Sequence, residues 1–494
     1  MKRFNKVLIF WGVLVTLLPL CFVHRANAAE TDPVYDKIKA NGQLVVGLSA
    51  DYAPYEFHAT IDGKDQIVGF DISIAQKIAD DLGVELKIEE LGFDALLGAL
   101  KTGKIDVVIS GMAATDERKK EVNFSNTYMK VQQKVIVRAE DADTFQSTAD
   151  FDGVSVGAQK QTTQEELAKT ELIGSSVTSL QKVPDLITNL TSGKIDAIVM
   201  EGPVADAYVM SNDQLAIAEN VTFENGTKET AVAISKEAPI LLEKVNASID
   251  TIVNNDLLTQ YQAEANALMF GDEEDAETAD QGFFAKYLPF YISGTGYTIF
   301  LAFVGVLFGS IGGSLLAFMK LSKTRILKII AAVYIEYVRG TPLLVQIFIV
   351  YFGTGVLGLD LSKVTAGCIA LALNSAAYVA EIIRAGINAV NKGQLEAARS
   401  LGMNHIQAMR YIIFPQAIKN ILPALGNEFV TVIKESSVVS VIGVSELIFQ
   451  TGVVQGASFK PFLPYVIVSL IYFVLTFALS RLLGVAERRM KTSD

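Results

Sequence analysis

Cysteine and histidine are scarce. Of 494 residues, two are cysteines (Cys21, Cys368) and three are histidines (His24, His58, His405). Two thiols, one of them in an N-terminal apolar run, exclude a disulfide framework, and the scattered histidines lack metal-ligand spacing. No metal or other cofactor is expected. A complete phosphate-binding loop is also missing. GALKTGKI, residues 98–105, supplies Gly98, Gly103 and Lys104, but Ile105 stands where a magnesium-binding hydroxyl is required. Its context is reversed as well, with a helix-like run before it and the alternating stretch IDVVIS after it. ATP hydrolysis is not expected of this chain. Nothing resembles a basic nucleic-acid patch either.

What is present is divided unevenly. Residues 1–28 open with Lys2, Arg3 and Lys6, continue as an apolar run from Val7 to Val23 and end in Ala26-Asn27-Ala28. This is the pattern of a secretory signal cleaved after Ala28. An uncleaved anchor is the alternative, against which Pro19 and His24 interrupt the run. Residues 29–285 carry 45 acidic and 20 basic side chains, whereas residues 286–494 carry 9 and 18. An acidic soluble body precedes a basic apolar one, and a lipid bilayer accounts for the second. Between them, GDEEDAETADQG reads as a solvated linker, assigned to 271–285.

Five apolar stretches, near 295–318, 331–357, 364–387, 421–449 and 461–484, are each long enough to cross a membrane. Lys320, Lys323, Arg325 and Lys328 follow the first; Arg384, Lys392, Arg399, Arg410 and Lys419 separate the third from the fourth; Arg481, Arg488, Arg489 and Lys491 end the chain. Positive charge collects on the cytoplasmic side, so the acidic body is expected outside and the C-terminus inside. Gly305, Gly309 and Gly313, one turn apart, predict close packing against a helix of the same subunit rather than a dimer seam. Glu336, Arg339, Glu381 and Arg384, near span ends, are read as interfacial or cytoplasmic ion pairs.

In the acidic half, LKTGKIDVVISGM (100–112) is echoed by LTSGKIDAIVMEG (190–202). Each reads as a helix end, a glycine suited to positive φ (Gly103, Gly193) and a short buried strand. Ligands of open α/β sheets gather beyond the carboxyl ends of strands. Two such units would present two strand ends to one cleft.

EAARSLGMNHIQAMRYIIFP, residues 396–415, resembles the docking signature of ATP-binding cassette importer permeases: Glu396, Ala397, Ala398, Gly402, Ile412 and Pro415 match, and Phe414 replaces the usual leucine. Our reading is a helix, Gly402 as breaker, and a second helix stopped near Pro415. YVRGTPLLVQ and AYVAEIIRAGI look like the polar amino-acid subfamily. SADYAPYEF, GFDISIAQKIADDLGV, SGMAATDERKKEVNFS and VGAQKQTTQEEL resemble the extracellular solute-binding proteins of the same importers. The implied fold is a type II periplasmic-binding-protein-like α/β domain of two lobes (29–270) fused to an all-α type I importer permease of five transmembrane helices (286–494). Lobe 1 would take about 29–135 and 225–270, and lobe 2 about 138–220, with crossings near 135–140 and 219–232.

The resemblance also implies roles. Arg118 would grip a ligand carboxylate bidentately, and Thr163 would offer its amide and hydroxyl at a helix start. Glu201 and the Gly111 carbonyl would hold the ammonium, with Ala113 contributing backbone only. Tyr52 and Phe93 would sandwich the side chain, Gln159 and Met200 would face its end, and Asp51 would either select a cationic one or cap backbone. Gln161 stands where relatives often have glycine. The function implied is uptake of a free polar amino acid, glutamine-like first and basic second, by a subunit that is no enzyme. Separate ATPase subunits would dock on 396–415, beside a second copy of this chain. An amino-acid-gated channel or transmembrane sensor with the same clamshell is the rival, but 29–270 is uninterrupted and no TVGYG-like filter occurs.

Overall fold

The computed structural model describes residues 32–61, 64–270, 283–359, 361–458, 460 and 462–491. The proposed signal segment and most of the acidic linker lie outside the described residues.

Two sheets organise the receptor half. In the first, Glu85–Glu90, Gln43–Leu48 and Val107–Val108 run parallel, followed by Ala233–Ile234 and Asn123–Phe124 in antiparallel pairing. In the second the order is Ser176–Leu180, Ser155–Gln159, Ala197–Glu201, Met129–Arg138 and Leu215–Ile217. The long strand Met129–Arg138 links them. Its first residues pair with Thr227–Thr230, and Gln133 to Val137 pair with Ala197–Glu201. Helices cover the sheets by ordinary amphipathic logic: in Phe70–Leu82 the buried positions Phe70, Ile74, Ile78 and Leu82 recur every four residues. Gly103 and Gly193 both adopt positive φ, +69° and +70°, ahead of their short strands. The repeated letters therefore mark a repeated helix–turn–strand unit, one per sheet.

Among the described residues, the membrane half has three helices long and apolar enough to cross a bilayer, Phe283–Leu321, Lys363–Asn388 and Leu463–Val485, and up to five spans if two bent pairs each count as one. The bends correct two expected straight spans. Arg325–Gly340 and Leu343–Val356 meet at 108°. Pro342 lacks an N–H and forces Thr341 into extended backbone (φ −116°, ψ 142°). The Gln346 amide repairs the break by donating to the carbonyls of Val338 (2.8 Å) and Thr341 (3.1 Å). The fourth apolar stretch tightens into a 3₁₀ segment, Ser436–Ile442, and turns 54° through Gly443 before Leu447–Ser458.

The glycine ladder packs within the subunit, as its spacing predicts. A Cβ at Gly309 would lie 2.7 Å from that of Ser375, and one at Gly313 would lie 2.7 Å from that of Val379, both on Lys363–Asn388. Glu381 pairs with Arg384 (2.7 Å) and with Lys320, whereas Arg339 lies over the Tyr378 ring. In the 396–415 segment, Lys392–Ser400 ends at Gly402 (φ +84°), and Asn404 and Gln407 cap each other around a short turn. Pro415 does not stop the second helix. It sits in the first turn of Phe414–Glu435, where its missing N–H costs no hydrogen bond, after a wide π turn at Met409–Ile413. Leu401, Ile406 and Tyr411 stand exposed along this elbow.

Candidate ligand-binding cleft

The strand ends Ser110-Gly111 and Glu201 face each other across the lobes, and the cleft between them holds about 310 Å³ of space, part of it open to solvent. Asp51, Tyr52, Phe93, Gly111, Ala113, Arg118, Gln159, Thr163 and Glu201 all line it.

Arg118 comes from the short helix Asp116–Glu121, whose N-cap Thr115 accepts its backbone N–H. The guanidinium donates to the Ala113 carbonyl (3.0 Å) and, across the cleft, to the Gln161 carbonyl (2.8 Å). Of five N–H donors, three remain. Phe93 packs under this guanidinium at 5.5 Å. Gln161 takes φ +63°, left-handed backbone in which glycine would be free of strain. Thr162, not Thr163, is the side-chain cap of Thr163–Thr170: its hydroxyl accepts from Glu165 N–H and donates to the Gln159 carbonyl. Thr163 is the first helical residue, so its N–H has no intrahelical acceptor, while its hydroxyl lies 3.3 Å from the Gln164 amide oxygen. Gln159 donates to the Gln181 carbonyl (3.1 Å).

Met200 does not reach the cleft. Side chains alternate along Ala197–Glu201, and Met200 points with Ile198 into the apolar core. Glu201 is the fully buried centre of the site. It accepts from the hydroxyls of Tyr52 (2.7 Å) and Tyr55 (2.6 Å), from the Gln164 amide (3.2 Å), and from the ammonium of Lys228, with which it forms a buried ion pair. A carboxylate enclosed this deeply calls for a cationic partner, and the chain supplies one of its own in Lys228. Burial pushes both phenols well above the ordinary tyrosine range, so they act as donors.

More carboxylates lie behind the cleft wall. Asp71 accepts from Gly111 N–H (2.7 Å) and from the Tyr128 hydroxyl (2.9 Å), and burial raises it to about 6. Glu56 receives the Ser110 hydroxyl and is held well above its usual range by burial and by Asp71. Asp51 accepts from the Ser49 hydroxyl (2.8 Å) and is raised to about 6 by burial. Tyr55, Gln164 and Lys228 escaped the sequence reading. Lys228 had one signal, its inward place in the alternation of Thr227–Thr230.

Both lobes rest on the membrane half. From lobe 1, Glu89 pairs with Lys363 (3.5 Å) and Lys104 donates to the Leu361 carbonyl (3.1 Å). From lobe 2, Asp185 accepts from the Tyr465 hydroxyl (3.0 Å). The Phe449 ring stands between the lobes, 6.5 Å from the His58 ring and 6.0 Å from the Lys182 ammonium.

A two-lobed cleft seated on a bent-helix membrane bundle defines a receptor fused to a permease. Residues 44–265 match the bacterial extracellular solute-binding proteins, family 3, and residues 291–492 match the binding-protein-dependent transport system inner membrane component. The chain belongs to these families: it is a fused solute-binding and permease subunit of an ATP-binding cassette amino-acid importer, without an enzymatic role of its own. It is a multi-pass membrane protein with its receptor outside and its C-terminus in the cytoplasm. The putative glutamine transport system permease of Rickettsia conorii is 41% identical over 209 residues, which are 42% of this chain and 96% of that one. The arginine transport system permease of Bacillus subtilis is 42% identical over 208 residues, again 42% of this chain and 95% of its own length. The crystal structure of an amino-acid transporter substrate-binding protein from Streptococcus pneumoniae, bound to L-arginine, is 41% identical, covers 48% of this chain and 100% of that one, and has a TM-score of 0.47.

Proposed function

We propose that this importer takes up an amino acid with a cationic side chain. The observation that carries the reading is Asp51. Its carboxylate lines the cleft, and Glu90 and Asp185 add negative potential beside it, partly offset by Lys182. A half-buried carboxylate held by a single side-chain hydroxyl favours a cationic partner. In this reading Arg118 takes the ligand carboxylate, with help from Thr163 N–H, and Glu201 and Gly111 take its ammonium. Tyr52, Phe93, Gln159 and the Ala113 backbone shape the walls. The exposed elbow 396–415 receives a separate ATPase, and two copies of the chain share the pathway. Tethering by about 12 residues gives roughly millimolar effective concentration, so docking is intramolecular. Glutamine is the second reading, favoured by the names of the Rickettsia relatives and by Lys182, which tempers the charge of Asp51.

Calorimetry on the full-length protein in nanodiscs tests this. Arginine or lysine is expected to bind at least about tenfold more tightly than glutamine, a difference of about 1.4 kcal/mol. Asp51→Asn is expected to erase that preference. Equal or reversed affinities in the wild type would sink the cationic reading and leave the glutamine one.

A pH series gives an independent check. The Asp51 carboxyl titrates near 6, and a cationic ligand binds its ionised form. Affinity is therefore full above that pH and falls below it, by at most about tenfold per pH unit. Asp71 titrates in the same range. Persistence of the effect in Asp51→Asn would transfer it to Asp71.

A further inference from the structure

Glu201 is crowded on one oxygen. Its Oε1 accepts from Tyr52, Gln164 and Lys228, more donors than two lone pairs serve well, whereas Oε2 accepts from Tyr55. A ligand ammonium that takes Oε1 must displace one of its three donors. Two are neutral and one is a cation. Displacing a neutral donor would leave two ammonium groups against one carboxylate in a buried site, and like charges at that distance repel strongly at low dielectric. Lys228 is the donor to move, because its four-carbon stem is flexible whereas the two tyrosine rings are wedged in the core around Phe70.

Its place in the fold points the same way. Lys228 lies on Thr227–Thr230, the strand paired with the start of Met129–Arg138, where the chain passes between the lobes. Its neighbours Thr227 and Glu229 face solvent, and Lys228 itself is aimed inward and lines the cleft. A surface lysine at that position would be free of Glu201. This one is buried against it, with 6% of its side chain exposed against 0% for the glutamate.

We propose that Lys228 is a tethered competitor for the substrate's α-ammonium group: its Nζ occupies Glu201, incoming substrate must displace it, and the exchange sets how strongly the cleft favours ligands that carry that ammonium. Lys228 is thus a specificity-determining residue that lowers affinity, the reverse of an ordinary binding contact. It protects Glu201 from standing as an uncompensated buried charge between turnovers. It also makes the selectivity for amino acids over their deaminated relatives smaller than the glutamate alone would give. The inference rests on the assignment of Glu201 to the ammonium in the function proposed above.

The test is calorimetry on full-length protein in nanodiscs with L-arginine, L-glutamine and deaminoarginine, which lacks the α-amino group. In Lys228→Met, whichever amino acid the wild type binds is expected to bind at least about tenfold more tightly, because the competitor is gone. Deaminoarginine should gain nothing, since it leaves Glu201 unpaired, so the ratio of the two affinities rises by the same factor. Lys228→Arg keeps the competitor and should leave the ratio within about threefold of wild type. Should Lys228→Met not accumulate as folded protein, Lys228→Gln, which keeps a donor without the charge, is expected to raise the ratio in the same direction. An unchanged or lowered ratio in these variants, with wild-type binding intact, overturns the role of Lys228 and leaves the proposed function standing. A wild type that binds neither amino acid removes the functional reading, and this one with it.

Discussion

Arg118→Ala is expected to abolish amino-acid binding, weakening it at least about 100-fold, a loss of about 3 kcal/mol. Two of the five guanidinium donors are spent on the protein, one on Ala113 within lobe 1 and one on the Gln161 carbonyl across the cleft. The remaining edge is the cationic fork that faces a ligand carboxylate. Removing it subtracts the carboxylate contact and also one of the links between lobes, so binding and closure weaken together. Arg118→Lys should be nearly as damaging, because an ammonium reaches one oxygen where a fork reaches two, and because Phe93 stacks under a flat group at 5.5 Å. Calorimetry on the full-length variant reads the loss, and circular dichroism confirms that the fold persists. Affinity within about threefold of wild type would remove the carboxylate assignment, since a residue that close to the charge should cost more when truncated.

Arg118 also illustrates what a sequence discloses. Its place after the strand end Ser110-Gly111, on a helix opened by Thr115, follows from the local pattern of a cap residue and acidic first turn. The repeated helix–glycine–strand units were equally legible, because positive φ, strand length and apolar runs are all local. So was the glycine ladder of the first span, whose partner helix lies in the same subunit. Long-range pairing was not. Nothing near Glu201 in the chain announces Lys228, 27 residues away, and nothing near Tyr55 announces a contact 146 residues on. Met200 was misplaced for a smaller reason: at a strand end, adjacent residues point to opposite faces, and only one of the pair can look into the cleft. The bends at Thr341-Pro342 and Gly443 were hidden by apolar runs, since hydropathy counts residues and not direction. Proline could have signalled the first, and a buried glutamine four residues later is its structural trace.

Gly443→Ala is expected to uncouple the receptor from the permease. Gly443 adopts φ +74°, and a Cβ there would collide with the carbonyl oxygen of Glu90, on the first sheet of the receptor. The left-handed backbone alone costs a non-glycine residue about 1–2 kcal/mol. The collision adds a directional effect, because the obstacle belongs to the other half of the protein. Relief comes from lifting the receptor off the bend, which stretches the Glu89–Lys363 pair and withdraws Phe449 from between His58 and Lys182. Gly443 itself lines no part of the cleft, so ligand affinity should change less than uptake does, even though Glu90 stands close to Asp51. Uptake into proteoliposomes charged with the ATPase should fall at least about tenfold, because the seat on the permease is weakened although the tether still holds the receptor nearby. Gly402→Ala supplies the contrast: it has φ +84° but open space around its Cβ, so only backbone strain is added, and that on the cytoplasmic elbow. If Gly443→Ala transports normally, the receptor does not work from the seat seen here. If its binding falls in parallel with uptake, the damage is to the receptor fold and not to docking, and the bend at Gly443 loses its role as the point where the permease meets the lobes.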